Sequence, residues 1–168
     1  MEAGQMAEAE RLFREGFQNG EKKCAYGLFA VCTQTGDEKG LEEARAALRD
    51  ALPDLIRIAD EGDADACFLI GRCYETGCGG TKDPERMIRY YVKAAEAGNT
   101  DALYNLGCFL MSRPGQEEDA LRFYFIPAAE KGNPDARQAL IHYYRTRNDA
   151  ESADRWARLL REPDRPAE

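Results

Sequence analysis

The stretch AAEAGNTDALYNLG, Ala94 to Gly107, decides the fold, because the chain contains it three times over. IADEGDADACFLIG (Ile58 to Gly71) precedes it, and AAEKGNPDARQALI (Ala128 to Ile141) follows it. The shared glycines are Gly62, Gly98 and Gly132, which gives units of 36 and 34 residues. A fixed period in this range marks stacked supersecondary units, none of which can bury its apolar face alone.

Each unit reads as two helices. A glycine at the marker position ends a helix in the left-handed region without a side-chain clash. Asn99 follows Gly98 as the N-cap of the next helix, and Asp101 in its first turn favours the helix dipole. Ala102, Leu106, Gly107 and Leu110 then fall on one stripe. The equivalents are Ala66, Ile70, Gly71 and Tyr74 after Gly62, and Ala136, Leu140, Ile141 and Tyr144 after Gly132. The turn YETGCGGTKDPERM, Tyr74 to Met87, has Gly77, Gly79 and Gly80 to stop the first helix, then Asp83 and Pro84 as N-cap and N1 of the second. Second helices place Met87, Tyr90, Tyr91, Ala94 and Ala95 inward, then Leu121, Tyr124, Phe125, Ala128 and Ala129, and finally Ala153, Trp156 and Leu160. Pro134 sits harmlessly in a first turn, whereas Pro53 and Pro127 fall inside second helices and predict kinks or breaks there.

Upstream, Gly20 takes the marker role, with Cys24, Leu28 and Cys32 in apolar slots and a longer helix over about Leu41 to Asp60. The whole of 1–168 reads as one repeat domain. Residues 1–19 form a lone helix, 20–61, 62–97, 98–131 and 132–162 are helix pairs, and 163–168 is a polar tail that caps the stack. The expected fold is all-α, with about nine helices in antiparallel pairs and no strand.

Composition narrows the function. Hydrophobic residues are 43% and charged residues 32% of the chain, as in a folded soluble protein. The formal net charge of -8 lacks the basic footprint of nucleic-acid binding and is repelled by anionic membranes. No apolar run approaches the roughly 20 residues a membrane helix needs. The opening MEAGQMAEAERLF carries acids where a signal peptide needs a basic and then an apolar region, so a cytoplasmic protein is expected. Cysteines 24, 32, 67, 73, 78 and 108 do not recur with the repeat, and reduced thiols follow from that compartment. Most of them suit buried, inert slots. Cys78, in the Gly-rich turn, is the one expected to be exposed and reactive.

Ala66, Ile70-Gly71, Tyr74, Gly77-x-Gly79, Asp83, Tyr90-Tyr91 and Ala94-Ala95-x-x-Gly98 resemble the Sel-1-like repeat family, a relative of the tetratricopeptide repeats. The resemblance is strong from about Leu55 to Leu160. It departs from the pattern at MSRPGQEED in the third turn and at Ile141, where the family has glycine. It implies a right-handed α-solenoid that serves as a scaffold or adaptor. Some cysteine-rich members carry a disulfide in each repeat and are linked to β-lactam binding or hydrolysis. Here Cys67 fills one of those slots but Ala59 fills the other, so that pairing fails.

In such solenoids the first helix of each pair lines the concave face. The stripe facing outward is the third, sixth, tenth and thirteenth residue after each marker glycine. The sixth positions are Tyr26, Phe68, Tyr104 and Gln138, and the tenth include Arg72, Cys108 and His142. Interface hot spots favour aromatics and arginine. A groove for a peptide or partner protein is therefore expected, with Tyr26, Phe68 and Tyr104 as anchors, Arg72 and Asn105 fixing polar groups, and Asp65, Asp101, Cys108, Gln138 and His142 completing it. The competing readings are that the aromatics pack repeat against repeat and that the acids only serve helix dipoles.

Chemistry has little to work with. His142 is the only histidine, which excludes any multi-histidine site, and zinc pairs are usually closer than Cys67, Cys73 and Cys78 stand. Cys108 and His142 share a repeat position and could make a nucleophile only if their side chains converge. No catalytic residue, metal or cofactor is assigned, and a monomer is expected. The alternatives are a β-lactam-hydrolase-like or thiol enzyme on the same fold, and a self-assembling structural array.

Overall fold

The computed structural model describes residues 3–161, so the polar tail at 163–168 lies outside the described residues. Every regular element is helical: α1 (Ala3–Gln18), α2 (Cys24–Thr35), α3 (Glu38–Asp60), α4 (Ala64–Thr76), α5 (Pro84–Glu96), α6 (Thr100–Met111), α7 (Glu117–Ala120), α8 (Ile126–Glu130), α9 (Pro134–Thr146) and α10 (Ala150–Arg161). A π-helical segment, Leu121–Phe125, joins α7 to α8 as one rod, so the described residues make nine continuous helices, as the repeat predicts. They gather into two compact units that divide between Ala97 and Gly98.

The helix corners carry the repeat's chemistry. Gly20, Gly62, Gly98 and Gly132 have φ of 95, 96, 97 and 94°. At Gly62 the glycine N–H donates to Ala59 O at 3.1 Å and the Asp63 N–H to Ile58 O at 3.3 Å, the paired bonds of a Schellman motif. Gly132 and Asn133 repeat this on Ala129 and Ala128, at 3.1 and 3.0 Å. The residue that completes the motif also opens the next helix. Asp63, Asn99 and Asn133 accept from the N–H of Ala66, Ala102 and Ala136 at 2.7, 2.9 and 2.8 Å. Asp83 caps α5 in the same way, through Arg86 N–H at 3.0 Å, with Pro84 at the first helical position.

In the first unit, α1 packs on α2, α2 on α3, α3 on α4 and α4 on α5. Ala66, Ile70, Leu48, Leu55 and Tyr91 are fully buried, and each large aliphatic side chain so buried contributes about 1.5–3 kcal/mol. Gly71 sets the approach of α4 to α5, because a Cβ there would lie 2.5 Å from the Tyr91 ring. In the second unit α6, the rod of 117–130, α9 and α10 enclose Leu106, Phe125, Leu140, Ile141 and Trp156. On α10 the buried leucine is Leu159, and Leu160 is only half-buried, one residue from the expected slot.

The two internal prolines behave differently. The helix α3 runs without a break through Pro53, so of the kink or break expected there no break occurs. Before Pro127 the backbone widens instead. Ile126 N–H donates to Leu121 O, five residues back, and this π register absorbs the missing N–H and the ring.

Candidate functional site

In the first unit the stripe residues are engaged with their own neighbours. Phe68 stacks on Tyr91 of the same helix pair, with ring centroids 5.8 Å apart at 29°. Tyr26 on α2 meets Arg72 on α4, where Arg72 Nε donates to the Tyr26 hydroxyl at 2.8 Å and the guanidinium lies 5.9 Å from the ring. Arg72 Nη1 also donates to Glu75 Oε2 at 2.9 Å, and the same oxygen accepts from the Tyr91 hydroxyl at 2.8 Å. A chain Tyr26–Arg72–Glu75–Tyr91 thus crosses three helices. Tyr26, Phe68, Arg72 and Glu75 are half-buried, so the array is ordered from below and open above. Burial pushes both tyrosines' ionisation up, Tyr26 against the pull of Arg72 and Tyr91 reinforced by Glu75. Arg72 is held firmly cationic by Tyr26, Glu75 and Tyr91, against the opposing effect of burial. The arrangement offers a fixed cation, a carboxylate and two aromatic faces.

The third-position residues have a second task. Lys23 Nζ sits 2.7 Å from Asp63 Oδ2, and 4.0 Å from the exposed Asp65. In the second unit Asp101 occupies the Lys23 position and accepts from Asn133 Nδ2 at 2.7 Å. In both places the first turn of one repeat grips the N-cap of the next. Asp101 therefore ties repeats together whatever else it does, a role neither dipole nor groove predicts.

The second unit places Tyr104 edge-on to Phe125 at 5.8 Å and 68°. Burial and a hydrogen bond with Cys108 push the Tyr104 hydroxyl up to about 12. Cys108 thus pairs with Tyr104 on its own helix. Cys108, Gln138 and His142 are exposed, and Asn105 is half-buried. Arg137 escaped the sequence reading altogether. It is 5% exposed, and its guanidinium donates to Ala129 O at 2.9 Å and Leu159 O at 2.6 Å, which joins α9 to the end of α10. Its only signal is repeat position: Cys67, equally placed after Gly62, gives its S–H to the matching carbonyl of Ala59 at 3.6 Å.

The cysteines hold one correction. Cys78 is 3% exposed, not open to solvent, because the Gly-rich turn folds back over the end of α4 and carries the side chain inward. Its thiol faces that of Cys73, also 3% exposed. Cys32, Cys67 and Cys73 are buried and Cys24 is half-buried. One group of metal-ligand type forms where Glu10, Cys32 and Asp37 bring ligand atoms within 4.8 Å of one another. Arg14 already neutralises Glu10 at 2.9 Å and Glu43 at 2.8 Å, so the cluster is served by a resident cation. Among the described residues no helix is long and apolar enough to cross a membrane.

Comparison with known proteins places this geometry. Residues 64–99 and 100–133 each match the Sel1 repeat. The chain is similar to the crystal structure of a Sel1 repeat protein from Oxalobacter formigenes, at 27% identity and a TM-score of 0.58. That match covers 94% of this chain, which spans 64% of the length of the Oxalobacter protein. Such repeats commonly mediate protein–protein interaction and are typically non-catalytic.

Proposed function

Since residues 64–133 are Sel1 repeats and the chain is an all-α protein of solenoid type, we propose that it is an adaptor that binds a peptide or partner protein on the outward stripe of its first helices. In the first unit Tyr26, Phe68, Arg72 and Asp65 form the contact surface. In the second unit Tyr104, Asn105, Asp101, Cys108, Gln138 and His142 do so. The observation that carries this reading is the Tyr26–Arg72–Glu75–Tyr91 chain, which holds a half-exposed guanidinium between aromatic rings at no further entropic cost. Arg72 donors serve Tyr26 and Glu75 and reach Tyr91, and a further N–H on the open side suits a carboxylate or a backbone carbonyl of the partner. Aromatic faces and arginine supply much of the energy of protein interfaces. The protein acts in the cytoplasm as a monomer, without catalysis or cofactor.

The test is affinity capture from native cell extract, with wild type beside a Tyr104→Ala plus Arg72→Ala variant of unchanged helicity. Partners held by wild type and lost by the variant are expected. Retention of the same set by both proteins overturns the stripe as the binding surface.

A further inference from the structure

The turn after α4 brings two thiols face to face. Cys73 lies in the last turn of α4, and Gly77 then takes a left-handed φ of 74°, its N–H donating to Cys73 O at 2.9 Å. Asp83 N–H closes the loop on Tyr74 O at 3.0 Å. The reversal lays the glycines over Cys73, so a Cβ on Gly79 would sit 3.8 Å from Cys73 Cβ. Cys78, next to Gly79, is likewise 3% exposed, and its thiol lies against that of Cys73. A cleft of about 210 Å³ opens onto Cys73 and onto Gly79 and Gly80, the residues that follow Cys78, with Leu52, Tyr74, Thr81 and Arg86 as the rest of its lining. A water molecule takes roughly 30 Å³, so a small hydroperoxide has room there.

We infer that Cys73 and Cys78 are a reversible oxidation site, at which a small hydroperoxide converts the dithiol to an intramolecular disulfide. Cys78 is the attacking sulfur. The Cys73 proton, helped by Thr76 and by the Cys78 and Gly79 N–H groups, outweighs burial and holds the Cys78 thiol down at about 7. The same contact, and then burial, push the Cys73 thiol up, which keeps it protonated as the resolving group. The Cys78 thiolate attacks one peroxide oxygen, the O–O bond breaks, and the departing oxygen leaves as water once protonated, giving a sulfenic acid. The Cys73 sulfur then attacks the Cys78 sulfur, loses its proton, and expels the hydroxyl as a second water. Two thiols and one hydrogen peroxide give one disulfide and two waters. Cys67 makes the contrast, since its S–H is held by the Ala59 carbonyl.

The sequence supplies a clean readout. Trypsin cuts after Arg72 and Lys82, so both cysteines leave in the single peptide 73–82. The full chain is treated with hydrogen peroxide, then denatured, alkylated and digested. The 73–82 peptide is expected to lose both alkylation sites and about 2 Da, and to regain both sites with dithiothreitol. Its loss of thiol should run roughly tenfold faster than that of Cys67. The Cys73→Ser variant, if it folds, should carry Cys78 on to sulfinic acid, which dithiothreitol does not reverse. The inference is overturned if the wild-type 73–82 peptide stays doubly alkylated, or if its cysteines pair with others instead of with each other. Both results are read on wild type, so neither depends on the variant folding.

Discussion

Asp63 is the residue where capping, charge and repeat packing meet. Lys23, and then the Ala66 N–H, hold its carboxyl below the ordinary value of 3.8. A depressed folded value means the stabilisation is complete above the unfolded value near 4 and is lost as pH falls toward the folded one. Both partners are over a third exposed, so the pair is worth only about 0.5 kcal/mol. Stabilities of wild type and Lys23→Ala from urea unfolding should differ by that much at neutral pH and converge as pH falls well below the ordinary carboxyl value of 3.8. A constant gap over that range would assign Lys23 a packing role instead. The matching link in the second unit gives a sharper test. Asn133→Asp keeps the cap on Ala136 but sets a carboxylate against Asp101, and should destabilise by about 1–2 kcal/mol. Asp101→Asn in the same protein should recover most of it in a double-mutant cycle, and an additive result would break the proposed pairing. At Gly71, an added methyl strikes the Tyr91 ring, so Gly71→Ala should cost about 1–3 kcal/mol in thermal or urea unfolding.

Helices respond to proline according to local register. Pro127 stands five residues before Gly132, and Lys93 stands five before Gly98. The rod of 117–130 meets its proline with a π turn, whereas α5 is uninterrupted α-helix. Lys93→Pro should therefore cost about 3 kcal/mol or more beyond Lys93→Ala. Pro127→Ala should change stability by less than about 1 kcal/mol, because the widened turn already accommodates the ring. Equal costs at the two sites would remove that role from the π turn. The contrast also shows where the sequence is legible. Caps, corner glycines and small-large alternation act within a few residues, so they read directly from AAEAGNTDALYNLG and its echoes. A π turn costs little more than an α turn when neighbours pack around it, and no residue type announces it. The same holds for the site. The stripe of Tyr26, Phe68 and Arg72 could be read from repeat position. The Glu75–Tyr91 extension, the buried Arg137 and the inward turn of Cys78 depend on side-chain directions that spacing does not encode.

At the scale of the molecule, charge decides what kinds of contact are open. A formal net charge of -8 opposes association with polyanions. The protein should pass immobilised heparin or double-stranded DNA unretained at physiological salt, and retention that weakens with added salt would reveal a basic face that net charge conceals. The linkage between repeats has a further consequence for how such a chain can change. Two of the N-caps are matched to the residue that the preceding repeat presents, a lysine before Asp63 and an aspartate before Asn133. The repeats are therefore not interchangeable beads. A duplication that set the 98–131 unit before the 62–97 unit would face Asp101 with the Asp63 carboxylate, so growth by copying has to change the cap and the third residue together. The order of the units is written into these pairs, and an engineer lengthening the array would need to carry each pair across the join intact.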